Sequence, residues 1–585
     1  VPDGLLARHF LRRFLENDLV SPHADRRDSL ATFAAGVITG GLFITVLLAL
    51  KYQFMLQPPG HTAIFALDDR FLFIASSMLL MALLAVSQWD ALALDARDAS
   101  ILGPLPLDHR AIVTAKLAAV GALALGAAVG INIAPSLLHP WMLAGRLPVG
   151  LGGLLALMLA HLGITVAAGV FGFVVVLGIR EVTYAGLGGR WFLRASPFVQ
   201  ALLVVILASA LLLVPSLSSG IGRGWLGAPS AAWIPPLWFL GLHEVVAGDV
   251  IAGLRPMDLR GPIAGLEREA MALYRSFDGI FRDLALIAVR ALALAVVTAL
   301  TAYLWNSRRL PVAAYQTHAR GRTAARVLRA AAERTIVRHE VARAGFFFTF
   351  KCLARSAPHR LSIAMALGAG TAAAAVSLRE GGYRVGMHIG SLPLAVLAIQ
   401  SMLVIVLAAG FRHAARVPAE LRANWTFHVC WSGDERPFLS GARRAAALGL
   451  ILPILLGLAP LHAIVLGWRA ALVHLSVGML LALALIRLLF LGFRKLPFAS
   501  SYVPSVNLKA LSPIYVLVFL LASYGLAAIE RAALGHTTRS LVLVLALAGT
   551  VVLVAAVDDR QRRARQPIDL DEAPAPATQR LGLGQ

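Results

Sequence analysis

Apolar runs of about twenty residues recur along this chain from Leu30 to Val557, and that recurrence constrains the fold more than any motif does. About twenty helical residues, rising 1.5 Å each, cross a hydrocarbon core of about 30 Å. Membrane strands need only about ten residues of apolar–polar alternation, a pattern that is absent here. Helices also satisfy their own backbone hydrogen bonds inside lipid. With 58% hydrophobic and 14% charged residues, the 585-residue chain lacks the polar side chains to cover a water-soluble body of its size. The expected fold class is all-α, a polytopic membrane protein.

Twelve spans are expected. The first six cover about Leu30 to Leu50, Phe71 to Gln88, Ala111 to Leu137, Val149 to Gly178, Phe198 to Leu217 and Leu284 to Trp305. The next six cover about Leu361 to Leu378, Ser391 to Phe411, Ala445 to Trp468, Ala470 to Phe493, Leu511 to Ile529 and Leu541 to Val557. A formal charge of +22 on a soluble domain would point to nucleic acid. Placed on the spans with the N-terminus inside, however, 36 Lys and Arg fall in inner segments and 14 in outer ones, with Lys116, Arg290 and Arg487 within spans. That asymmetry fits the positive-inside rule and both ends in the cytoplasm, and needs no nucleic acid. The stretch from Asn306 to Arg360 alone carries twelve basic residues against Glu333 and Glu340.

The first 29 residues are charged and amphipathic, so no cleavable signal peptide is expected before the first span. Cys352 and Cys430 both fall in inner segments, where thiols stay reduced, so neither a disulfide nor a metal site is expected.

The central basic block divides the spans into two groups of six that share a pattern. Leu6, Phe10 and Phe14 stand at helical spacing among Arg8, Arg12 and Arg13, followed by Pro22-His23 and a span. Phe346, Phe350 and Leu353 stand beside Lys351 and Arg355, followed by Pro358-His359-Arg360 and a span. Each reads as a basic amphipathic helix lying in the inner interface, although an ordinary juxtamembrane helix has the same signature. The domain plan is an N-terminal amphipathic helix, 1–29; a first six-helix half, 30–305, with external segment 218–283; a basic linker and second amphipathic helix, 306–360; a second six-helix half, 361–557; and a cytoplasmic tail, 558–585, expected to be disordered.

After the second span of each half comes a charged inner segment with aromatic residues. In the first half it carries Trp89, Asp90, Asp95, Arg97, Asp98 and Leu102; in the second, Arg416, Glu420, Arg422, Trp425 and Phe427. Aromatic anchors with mixed charge suit a docking surface, since anchors supply energy and charge supplies register. The external segment holds Trp233, Pro235, Pro236, Trp238 and Phe239, a cluster suited to dip into the outer interface or to pack as a small cap.

Together these features resemble the membrane subunit, or permease, of an ABC-2 type ATP-binding-cassette transporter. The resemblance makes connecting helices of Leu5 to Glu16 and Gly345 to Arg355, coupling helices of Trp89 to Arg110 and Arg412 to Arg444, and a re-entrant gate segment of Ser230 to Leu242. It departs from the family pattern in the short last external loop, Glu530 to Ser540. It implies two copies of a separate ABC ATPase subunit as partners, with ATP and Mg bound there, and no cofactor or metal in this chain. No G-x-x-x-x-G-K-[ST] loop occurs, so the chain itself is not expected to be an ATPase. The implied function is export of an amphipathic or lipid-like substrate across a bacterial-type cytoplasmic (inner) membrane.

Ionisable residues inside spans usually mark substrate or ion paths. Lys116, Arg290 and Arg487 are read as snorkelling to the headgroups. His161 and His474 lie nearer mid-span at corresponding positions of the two halves, either as ordinary interhelical hydrogen-bonding groups or as a functional pair. Two alternatives stand beside the permease. A secondary transporter would want mid-span carboxylates, which the expected spans lack. A membrane glycosyltransferase would use Asp68 and Asp69, placed in the first external loop, as metal ligands or base.

Overall fold

A computed structural model describes residues 3–15, 42, 45–46, 48–49, 51, 59–92, 102, 107–144, 150–218, 224–252, 262–308, 333, 335–381, 392–420, 424–430, 435–491, 493, 495–499 and 512–563. Among them all regular structure is helical and no strand occurs. The chain divides into two compact units, Val1–His318 and Ala319–Gln585.

Unit 1 contains α1 (Asp3–Leu15), α2 (Pro59–Ser87), α3 (His109–Ala144), α4 (Leu151–Gly189), α5 (Trp191–Ser218), a 3-10 turn (Pro229–Trp233), α6 (Pro235–Ala252), α7 (Pro262–Ser276) and α8 (Asp278–Ser307). Gly188 sits at φ 70° between α4 and α5, a left-handed conformation that glycine tolerates without a Cβ penalty, and it turns the chain there. The core lies between α2, α4, α6, α7 and α8, around Leu67, Ile74, Phe171, Phe239 and Phe281. α4 meets α2 closely at Gly172, where a Cβ would strike the Met78 carbonyl. Small residues of this kind let helix backbones approach where lipid supplies no hydrophobic drive between them.

Unit 2 contains α9 (Glu340–Arg355), α10 (Ala357–Gly381), α11 (Leu394–Ala414), α12 (Trp425–Cys430), α13 (Glu435–Ala446), a π turn (Ala447–Ile451), α14 (Leu452–Leu466), α15 (Trp468–Phe490), α16 (Ser512–Leu534) and α17 (Thr537–Arg563). Its main core gathers Phe411, Ile451, Ile486, Phe490 and Phe498. Gly467, at φ 78°, separates α14 from α15, so the two apolar runs on either side of it are distinct helices.

Among the described residues eleven helices are long and apolar enough to cross a membrane, and they match the second to twelfth expected spans. The first expected span, Leu30 to Leu50, lies mostly outside the described residues, as does most of the tail. Large apolar side chains such as Leu541, Leu545, Val552 and Leu553 of α17 are exposed, which suits lipid and not water. The chain is a multi-pass helical membrane protein by length and composition of its helices.

Two expectations are corrected. The second span begins at Ala63 and not Phe71, so Asp68, Asp69 and Arg70 lie within its helix and not in a loop. Asp69 and Arg70 are tolerated there because they are paired: Lys51 Nζ donates to Asp69 at 2.6 Å, and Arg70 pairs with Glu244. Lys116 does not snorkel. It is buried, with Nζ 4.5 Å and 5.1 Å from the ring centroids of Phe10 and Phe14 on α1.

Candidate functional site

Each unit contains a buried cluster that joins histidines to a glutamate, and each is built around one of the histidines picked out by position. In unit 1 the carboxylate is Glu244 on α6. Arg70 of α2 ion-pairs with it through Nη1, reaching Oε2 at 2.5 Å, while its Nε donates to the Ala66 carbonyl at 3.0 Å. Tyr274 of α7 donates its hydroxyl to Oε2 at 2.6 Å, and His243 Nδ1 donates to Oε1 at 3.0 Å. All four side chains are buried. Burial alone would raise the Glu244 pKa, but Arg70 and the hydrogen bonds from His243 and Tyr274 prevail and hold it at about 2. The carboxylate is therefore ionised at neutral pH, and the imidazole beside it must be the donor.

From His243 the cluster continues as a chain of rings. His161 of α4 lies 5.5 Å from His243, and His139 of α3 lies 5.2 Å from His161, with Phe73 against both at 5.1 and 5.4 Å. His161 is 1% exposed, and neither ring nitrogen has a hydrogen-bond partner among the described residues. Buried polar atoms are nearly always partnered, so an unpartnered imidazole at the centre of four helices is a costly arrangement.

In unit 2 the carboxylate is Glu530 of α16, which accepts from His474 Nδ1 of α15 at 2.6 Å. His462 of α14 stands edge-on to His474 at 4.5 Å, and Gln400 of α11 donates through Nε2 to the His474 carbonyl at 2.5 Å. His474 and Glu530 are both buried. Among the described residues no three His, Cys, Asp or Glu side chains converge as a metal-ligand set.

The other predicted residues fall as follows. Trp89 is fully buried; its indole N–H donates to Ser196 Oγ at 2.7 Å and its carbonyl accepts from Arg180 Nε at 2.7 Å. It ties the start of the first inner segment to α4 and α5 and presents no face for docking. Asp90 is exposed and Leu102 is buried, while Asp95, Arg97 and Asp98 lie outside the described residues. Arg416 is half-buried and Glu420 exposed, on a turn fixed by the Ala419 N–H to the Phe498 carbonyl at 2.7 Å and the Phe498 N–H to the Ala415 carbonyl at 2.9 Å. Arg422 lies outside the described residues, as does the Trp425 side chain. Phe427 packs on Phe348 at 5.3 Å as part of a small core. Cys352 is buried, which pushes its thiol up to about 11.

Trp233 is 85% exposed, whereas Trp238 and Phe239 of α6 pack toward the core, Trp238 Nε1 donating to the Ala232 carbonyl at 2.9 Å. Pro235 and Pro236 open α6, where their missing N–H groups cost nothing. Arg290 is exposed on α8 and takes no part in either cluster.

Sequence reasoning found His161 and His474 but not their surroundings. Arg70, His139, His243, Glu244 and Tyr274 come from four helices of unit 1, and no spacing in the chain signals that they meet. No family model, curated protein or solved structure matches this chain.

Proposed function

We propose that this chain is the permease subunit of an ATP-driven transporter of ABC-2 type, exporting an amphipathic or lipid-like substrate across a bacterial-type inner membrane. One observation carries the reading. In each unit an amphipathic helix packs against the helix that begins at the end of the charged inner segment. α1 lays Phe10 and Phe14 on Lys116 of α3. α9 crosses α13 so closely that a Cβ at Gly345 would strike the Phe438 carbonyl and one at Gly441 the Ala342 carbonyl. A motor pulling on the inner segment would thereby move the interfacial helix and the next span together.

In this mechanism two separate ATPase subunits bind ATP and Mg, close on each other and draw the inner segments together. The helices then rock so that a central path changes the side to which it opens. ATP does work on the substrate only if the two states bind it with different affinity. Trp89 is committed to its own unit, so docking on the first segment falls to residues from Asp90 onward, and on the second to Arg416, Glu420 and Arg422. The glycosyltransferase alternative loses ground because Asp69 is buried and neutralised by Lys51.

The test is copurification. A subunit with a phosphate-cradling Gly-Lys-Ser/Thr loop should come through purification in mild detergent with this chain, and charge reversal at Arg416 and Arg422 should release it. Undiminished capture by the R416E/R422E variant would refute the docking assignment.

A further inference from the structure

A cavity of about 50 Å³ opens in unit 2 between α13 and α15, lined by Ser440, Arg443, Arg444, Leu483, Ile486 and Arg487. A single water needs about 10–15 Å³ of such space, so this one admits a group several times larger. Its chemistry is unusual for the end of a helix bundle, because three of its six lining residues are arginines.

The charges around it do not balance. Arg443 Nη1 donates to Asp558 Oδ2 at 2.7 Å, but Asp558 is shared with Arg562, whose Nε donates to Oδ1 at 3.0 Å. Arg562 also pairs with Glu435 at 2.8 Å. Among the described residues four guanidinium groups, those of Arg443, Arg444, Arg487 and Arg562, thus meet two carboxylates. Arg444 reaches a backbone carbonyl, that of Ile336, at 2.5 Å. Arg487 has neither hydrogen bond nor ion pair among the described residues. Nε and Nη2 of Arg443 are buried with no acceptor among the described residues. A buried guanidinium N–H without an acceptor is costly, and the acceptors that match its planar fork best are carboxylate and phosphate oxygens.

We propose that Ser440, Arg443, Arg444 and Arg487 form a binding site for a phosphate oxyanion. Leu483 and Ile486 line the same cavity and give an apolar wall along α15, which favours a phosphate carried on a phospholipid over the free ion. Basic pockets between membrane helices are where anionic headgroups are held. The oxyanion supplies the acceptors that Arg443 Nε and Nη2 lack and offsets the two unmatched positive charges. The site does not rest on the transport reading.

The experiment uses the full chain in mild detergent, with ligand binding followed by native mass spectrometry. Three probes are titrated: phosphatidylglycerol, diacylglycerol and inorganic phosphate. Phosphatidylglycerol should bind the native chain about tenfold more tightly than the R444Q/R487Q variant, the scale of losing charge-assisted phosphate contacts. Neither substituted arginine has a carboxylate partner among the described residues, so the fold should survive; unfolding temperature checks this, and R487Q alone carries the test if the double variant fails to fold. Diacylglycerol, which lacks phosphate, should bind both chains equally weakly. Displacement of phosphatidylglycerol by millimolar inorganic phosphate would support the oxyanion site and assign the free ion as an occupant; no displacement would support the site with the lipid as its ligand. Equal retention of phosphatidylglycerol by native and variant chains, or diacylglycerol held as tightly as phosphatidylglycerol, would overturn the proposal.

Discussion

The histidine clusters of the two units contain the same kinds of residue but solve the problem of a buried carboxylate differently. In unit 1 Glu244 has a guanidinium, a phenol and an imidazole around it, and the neighbouring His161 has no hydrogen-bond partner among the described residues. In unit 2 Glu530 has a single imidazole among the described residues, and His474 is committed to it. The contrast teaches which residue is structural in each. In the first cluster Arg70 is the cation that pairs with the carboxylate and His161 makes no hydrogen bond among the described residues, whereas in the second the histidine itself is the partner of the carboxylate.

The largest effect should follow from removing Arg70. The R70Q variant leaves the buried Glu244 without its cation, which costs about 3–5 kcal/mol. Thermal unfolding in detergent should show this as a large drop, and the double variant R70Q/E244Q should recover much of it. No recovery would mean that the ion pair is not what Arg70 contributes. The same pair sets a pH dependence. Because folding lowers the Glu244 pKa to about 2 from an ordinary 4.5, its contribution is complete above about pH 4.5 and is lost as pH falls toward 2. An E244Q variant should lose stability less steeply than the native chain across that window.

A smaller effect is expected at the second cluster. H474F strips Glu530 of the hydrogen bond at 2.6 Å, at a cost of about 1–3 kcal/mol. A loss as large as that of R70Q would break the comparison. The smallest effect is expected for H161F. Replacing an unpartnered buried polar group with an apolar one of similar shape is close to neutral or stabilising. An H161F chain with native unfolding temperature but impaired transport would give His161 a functional role; a strong drop in stability would show that His161 has a partner in the folded protein.

Much of the fold was legible in the sequence, for a reason particular to membranes. Lipid demands an apolar surface on every side of a helix that faces it, so runs such as Leu394 to Phe411 or Leu541 to Val557 announce themselves without reference to any partner. The error at Asp68 to Arg70 has the same root. Hydropathy counts each charge as exposed, and Lys51 and Glu244, which neutralise these side chains, are remote in sequence or on another helix. Likewise an aromatic residue in a polar inner segment reads as a free anchor, yet Trp89 had already found Ser196 and Arg180.

The order of the described spans and the concentration of arginine and lysine in the central block were fixed by the chain's own composition, because each is a local response to lipid and water. Which carboxylate is paired with which cation, which histidine hydrogen-bonds to a carboxylate, and how three arginines come to line one cavity were decided only by tertiary packing. Those arrangements draw on residues from separate helices, and what a buried charge costs depends on the groups that packing brings to it.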